Sequence, residues 1–187
     1  MSSHIDPSTS AIPVIETERL LLRAFRVEDL ADYVAMWADP EVLKHIGIPP
    51  SSREQTWTRL LRAHGHWSLF GFGFWAVEDK SSGRFVGEVG MAEFMREIEP
   101  SLVGIPEIGW VLAAWSHGKG YATEAARAAI DWWDTHRGGG RTACLIDESN
   151  GASFRVADKC GYSEYARTRY HDRPVVLLAR PSPPVSG

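Results

Sequence analysis

The sequence predicts an α+β protein, a mixed sheet covered by helices. Three observations carry this reading. Strand-sized apolar runs alternate with stretches of helical period, Lys80-Ser81-Ser82-Gly83 marks a hairpin between two such runs, and one strand leads directly into two glycines and a helix. The 187 residues, 44% of them hydrophobic, suffice for one packed core, so a single domain is expected over residues 14–180. Residues 1–13 and 181–187 are rich in Ser and Pro without periodicity and are expected to be disordered tails.

The elements follow in order. A first strand occupies 20–24. Leu30, Tyr33, Val34 and Trp37 then recur at helical spacing until Asp39-Pro40, where the proline ring removes a donor and restricts the residue before it. Ser51-Ser52-Arg53-Glu54 reads as a capping box that starts a helix carrying Trp57, Leu60, Leu61 and His64. Strands over 72–78 and 84–94 flank the hairpin, and 95–106 is loop-like. A strand over 107–113 precedes a helix from Tyr121 through Ala125, Ala126, Ala129, Ile130 and Trp133. After the break at Gly138-Gly139-Gly140 come a strand over 142–146 and a short helix over 151–159, with Gly161 placed to end it in left-handed backbone. Strands over 162–168 and 174–180 close the domain as an antiparallel pair.

A net charge of −4 and a pI near 6.0 supply no positive field, so neither DNA nor a membrane is expected as a partner. The longest apolar runs, such as Val175-Val176-Leu177-Leu178-Ala179, are strand-sized, and residues 1–6 lack the layout of a signal peptide; a cytoplasmic location is expected. The two cysteines, Cys144 and Cys160, are too few for a disulfide framework or a metal site and read as reduced structural thiols.

The most informative segment is Trp115-Ser116-His117-Gly118-Lys119-Gly120-Tyr121-Ala122-Thr123-Glu124-Ala125. Glycines let the backbone approach an anion, and the free amides and positive dipole end of the following helix attract it, so this is a phosphate seat. A Walker loop is excluded because Gly120 follows Lys119 where Ser or Thr is required. The dinucleotide pattern G-x-G-x-x-G fails at Thr123, and too little chain follows for a Rossmann domain.

What remains resembles the pyrophosphate loop of the GCN5-related N-acetyltransferase (GNAT) superfamily: Gln or Arg, two residues, Gly, one residue, then Gly or Ala. The pattern falls on His117, Gly120 and Ala122, with a histidine where the family has Gln or Arg. Glu16-Thr17-Glu18-Arg19-Leu20-Leu21-Leu22-Arg23 with Asp29-Leu30 is similar to the opening of the ribosomal-protein N-terminal acetyltransferase (RimJ/RimL-like) branch. Asn150, Ser153, Val156, Lys159, Gly161 and Tyr162 match that branch's N-x-x-S-x-x-V-x-x-K-x-G-[FY] stretch, so the resemblance spans residues 17–162. It implies a mostly antiparallel central sheet flanked by helices, with the strand before the loop and the strand after Gly140 splayed to admit the pantetheine of acetyl-CoA. No metal is expected.

Acyl transfer from a thioester to an amine sets four needs. For holding the cofactor, backbone amides of Gly118, Lys119, Gly120, Tyr121, Ala122 and Thr123 would bind the pyrophosphate, with the Lys119 charge and His117 beside them. For placing the thioester, the resemblance implies main-chain groups of Trp110, Val111 and Leu112, fixed donors of the kind an oxyanion needs. For the leaving thiolate, it implies the Ser153 hydroxyl, with Asn150 holding the pantetheine arm; plain helix capping by Asn150 and Ser153 is the alternative. Tyr162 is a second candidate acid, or a core aromatic.

The fourth need is a base, because an amine of pKa near 10 is mostly protonated at neutral pH. Glu107 is the leading candidate, its alternative being an edge charge meeting solvent. His64 and His66 are weaker candidates. Glu124 is explained by the dipole of its own helix. Trp67, Phe70, Phe72, Phe74 and Trp75 cluster where an acceptor would enter, as core or as a pocket wall. Together these features describe an acetyl-CoA-dependent N-acetyltransferase working by direct transfer, with a protein N-terminus or a small amine as acceptor; a homodimer is compatible with it. The alternatives are a succinyl- or other acyl-CoA transferase and a non-catalytic CoA-binding module.

Overall fold

Eight strands form one sheet in the order β1 (Ile15–Glu16), β2 (Leu20–Arg23), β3 (Phe74–Asp79), β4 (Phe85–Ala92), β5 (Glu107–Leu112), β6 (Thr142–Asp147), β8 (Arg173–Arg180), β7 (Ser163–Tyr170). Every neighbouring pair is antiparallel except β5 and β6. The structure, a computed structural model, describes residues 12–182. Of the expected tails only Ile12, Pro13, Pro181 and Ser182 fall among the described residues. Ile12 packs on the core, and the Pro13 carbonyl accepts from Trp75 Nε1 at 2.8 Å.

Strand alternation sends successive side chains to opposite faces, and the helices cover both. On one face α1 (Leu30–Ala38), α2 (Pro40–Leu43) and α3 (Arg53–Phe70) enclose Phe25, Tyr33, Trp37, Leu60, Ala76 and Phe85. On the other, α4 (Tyr121–His136) and α5 (Gly151–Lys159) bury Ala125, Ala129, Ile130 and Ala157 against Trp75, Val77 and Val89.

Three local readings shift. Pro40 ends α1 but also opens α2, as proline does at a first helical position, with Asp39 Oδ1 accepting from Glu41 N at 2.9 Å. The capping box of α3 falls one residue later than expected. Ser52 Oγ accepts from Gln55 N at 3.1 Å, and Gln55 Oε1 accepts from Ser52 N at 2.8 Å. The helix then runs on past His64 to Phe70.

Two irregularities position the site. Register slips where Val77 and Glu78 of β3 face Gly87 and Phe85 of β4, and Gly87 stands at φ +152, where an added Cβ would meet Val111 O at 2.2 Å. This bulge turns Phe85 and Glu88, three residues apart, to the same side. There the ring of Tyr33 lies 5.8 Å from that of Phe85, and its hydroxyl donates to Glu88 Oε2 at 2.6 Å. The second irregularity is the parallel pair: β5 and β6 match only at Glu107 and Ala143, and beyond that point they separate. The splay expected before and after the seat is therefore present.

Candidate active site

The edge of β5 that faces the gap follows from its hydrogen bonds. Ala143 N donates to Pro106 O on the β6 side and Ala113 N donates to Val86 O on the β4 side, so the odd-numbered residues bond β4 and the even-numbered ones face β6. Past the single matched pair, the amide and carbonyl of Trp110 and the amide of Leu112 point into open space. Trp110 and Val111 line the adjoining cleft; Leu112 is buried, and its carbonyl accepts from His117 Nε2 at 2.8 Å. His117 therefore finishes the strand edge, a different task from an outward-reaching Gln or Arg.

The seat follows immediately. Gly118 and Gly120 stand at φ +75 and +81, and α4 begins at Tyr121, its first backbone bond running from Glu124 N to Gly120 O. Among the described residues no protein acceptor takes the amides of Gly118, Lys119, Gly120, Tyr121, Ala122 or Thr123. Six adjacent free donors at a helix start fit a pyrophosphate. The surroundings hold this shape. Arg19 donates from Nη1 to Lys119 O at 2.8 Å and from Nε to Glu124 Oε2 at 2.7 Å, and Thr17 Oγ1 donates to Glu124 Oε1 at 2.6 Å. Glu124 is thus a clamp between β2's approach and the seat, beyond any dipole effect. Tyr121 is buried, with its hydroxyl on Asp79, so it offers the seat its amide alone. Lys119 Nζ lies 4.7 Å from the centroid of the Trp115 ring.

Across the gap, Asn150 caps α5: its Oδ1 accepts from Ser153 N at 3.0 Å. Both residues also line the cleft, and among the described residues the Ser153 hydroxyl has no hydrogen-bond partner. Capping and an unpaired hydroxyl coexist here, because the cap uses the amide of Ser153 and leaves its Oγ free.

The cleft has a volume of about 650 Å³ and runs from α1 and α3 across β4 and β5 to β6 and the β7–β8 turn. Glu107 lies in it at 3% exposure, both carboxylate oxygens accepting from Arg96 Nε at 2.9 and 2.8 Å. The reading as a solvated edge charge is corrected: this carboxylate is buried and ion-paired. Burial pushes it up, Arg96 pulls it down, and the net shift is upward. Glu88, which the sequence reading passed over, is a second buried carboxylate in the cleft, raised by burial. Its only sequence signal is a charge inside the apolar stretch Phe85-Val86-Gly87-Glu88-Val89.

Other expectations are corrected. Tyr162 is 4% exposed, does not line the cleft and shares its hydroxyl with Thr142 Oγ1 at 2.6 Å; burial raises it, and the core reading stands in place of an acid. His66 lines the cleft but has both ring nitrogens engaged, Nδ1 with Phe72 O at 2.7 Å and Nε2 with Glu93 N at 3.0 Å. A nitrogen that accepts from an amide is no base for an amine. His64 lies outside the cleft, bonded to Phe25 O. Of the expected aromatic wall only Phe74 lines the cleft. Trp67, Phe72 and Trp75 are core, since α3 extends through Trp67 and β3 begins later than expected. The aromatic wall is instead Tyr33, Trp37, Phe74, Phe94, Trp110 and Tyr170. Cys144 reaches the cleft, but burial raises its thiol far from the thiolate a nucleophile needs.

The structure thus combines a parallel strand pair splayed open, a glycine turn at a helix start with free amides, and an adjoining cleft. The chain belongs to the acetyltransferase (GNAT) domain family, whose sequence model matches residues 19–163. It is 33% identical over 168 residues to the uncharacterized protein YkkB of Bacillus subtilis, covering 89% of this chain and 94% of that one. A putative GNAT-family acetyltransferase from Bordetella pertussis has the same fold with a TM-score of 0.79 and 29% identity, covering 90% of this chain and 99% of its own. The likeness of fold extends to the ribosomal-protein-S5-alanine acetyltransferase from Vibrio fischeri, at a TM-score of 0.74 and 17% identity, covering 94% and 100%.

Proposed function

We propose that this chain transfers the acetyl group of acetyl-CoA to a primary amine by direct attack within a ternary complex. The observation that carries the reading is the continuity of the unpaired β5 edge with the free amides of the seat, opening onto a cleft that holds buried carboxylates. The residues present fit acetyl-CoA: the amides of 118–123 would take the pyrophosphate, and the Trp110 and Leu112 main chain would pair with the pantetheine arm. When bound, acetyl-CoA supplies the thioester.

The chain's own residues supply the rest. Glu107 receives the proton of the acceptor amine, directly or through water, and the Arg96 guanidinium opposes the push of burial. The amine nitrogen bonds to the acyl carbon, the carbon–sulfur bond breaks, and the Ser153 hydroxyl donates to the departing thiolate. Asn150, which also lines the cleft, orients Ser153 through its cap. Fixed main-chain donors on β5 polarise the carbonyl without reorganisation.

Initial-velocity measurements with acetyl-CoA and a panel of primary amines, following thiol release, test this. Lines that intersect in double-reciprocal plots are expected; parallel lines indicate a covalent intermediate. Acetyl-CoA binding without thiol release by any amine would leave a CoA-binding module.

A further inference from the structure

We propose that the acceptor is a primary amine that also carries a carboxylate at some distance, as an ω-amino acid does, with Arg59 and Arg62 of α3 holding the carboxylate. This rests on the transferase reading above and names its substrate class.

The argument is a charge balance along the cleft. Four arginines line it, and two are consumed: Arg96 by Glu107 and Arg173 by Asp147. Arg59 and Arg62, neighbours at i and i+3 on one face of α3, form no ion pair among the described residues. Both attract Glu88, the single carboxylate beneath them, so this end has one positive charge in surplus. The opposite end is reversed. Glu93 stands near enough to Glu107 to raise it, and only Arg96 offsets the two, leaving one negative charge in surplus. A molecule with an ammonium and a carboxylate is oriented by such a cleft, amine toward Glu107 and carboxylate toward α3.

Length follows from the strand register. Glu88 pairs with Val111, and Glu107 lies four residues earlier on β5, so the two ends of the floor are about 13 Å apart at strand spacing. With the guanidiniums reaching inward from α3, the remaining span suits groups at opposite ends of a short chain rather than on one carbon. Arg59 is held in place by stacking on Trp37, 4.1 Å from its ring centroid. The buried Trp37 Nε1 beside it has no acceptor among the described residues, so hydrogen bonding at this wall is incomplete within the protein.

The test uses 6-aminohexanoate and 6-aminohexanamide, matched in length and amine, with acetyl-CoA as donor. The wild-type protein should favour the acid by about 10-fold or more in kcat/KM, mainly through KM, as expected for charge-assisted hydrogen bonds to a bidentate partner. Arg59→Gln with Arg62→Gln should bring the ratio to about one. The single Arg62→Gln change at the exposed residue gives a milder version should the double variant fail to fold. A ratio near one or below in the wild type overturns the proposal, as does a double variant that slows both acceptors alike, since the arginines would then serve only Glu88. Preferential use of succinyl-CoA with the amide, lost in the double variant, also overturns it by assigning the carboxylate to the donor. Transfer to neither probe with other amines still acetylated sinks this proposal alone; transfer to no amine at all sinks the transferase reading with it.

Discussion

Gly120→Val separates the seat from the fold. Gly120 stands at φ +81 at the start of α4, and a Cβ there meets only Arg19 Nη2, the end of a flexible side chain, at 3.4 Å, so the protein itself has room for the Cβ. The cost to folding is conformational, about 1–2 kcal/mol for an L-residue in left-handed backbone. Against the roughly 5–15 kcal/mol of a typical domain the variant should remain folded, with Tm lower by several degrees. The ligand is affected differently, because the new methyl groups would stand among six free amides where phosphate oxygens must come within hydrogen-bond distance. Losing two charge-assisted hydrogen bonds at about 1.5–3 kcal/mol each weakens CoA binding by roughly 10²–10⁴-fold. Titration calorimetry beside a thermal melt reads both effects. A cooperatively folded Gly120→Val protein with an unchanged Kd for CoA would refute the placement of the pyrophosphate.

Ser153→Ala should lower kcat by more than it raises the KM for acetyl-CoA, whereas Asn150→Ala should act on acetyl-CoA affinity and remove a helix cap worth about 1 kcal/mol, read by melting and steady-state kinetics. Glu107→Gln should reduce activity at neutral pH by roughly 10²-fold or more, with partial recovery at higher pH where more amine is already deprotonated. In the wild type the net upward shift of Glu107 places the acid limb of the pH–rate profile above the ordinary carboxylate range, activity being lost as pH falls through that value and the base protonates. An acid limb unchanged in Glu107→Gln would remove Glu107 from the role. Tyr162→Phe should leave turnover unaltered but destabilise the fold by about 1–3 kcal/mol, since Thr142 Oγ1 is then buried without its partner; a large fall in kcat would restore Tyr162 as an acid.

Local sequence chemistry reached most elements because each is specified by neighbours in the chain. The Gly118-Lys119-Gly120 seat before an apolar helix, the Asn150 cap and the hairpin at Lys80-Ser81-Ser82-Gly83 are short-range devices, and each stands where the residues place it. The splay was implied by the family resemblance alone. It depends on where two distant strands cease to match, at Glu107 and Ala143, which no local pattern encodes.

By itself the sequence determined the order of strands and helices apart from β1 and α2, and the glycine turn at the start of α4, because backbone propensity, glycine conformation and apolar period act over a few residues; the family was legible through the motifs at 16–23, 117–122 and 150–162. The tertiary structure decided which side chains share the cleft. Strand alternation reads one residue in two on each face, but the bulge at Gly87 shifts that count and turns Glu88 onto Tyr33, so a charge in an apolar strand becomes part of the cleft. The extension of α3 to Phe70 likewise drew Trp67 into the core and left the cleft walled by aromatics from five separate segments. Glu107 and His66 were visible as residues, yet whether each is free or bonded rests on Arg96, Phe72 and Glu93, partners brought together only when the sheet and its loops close around them.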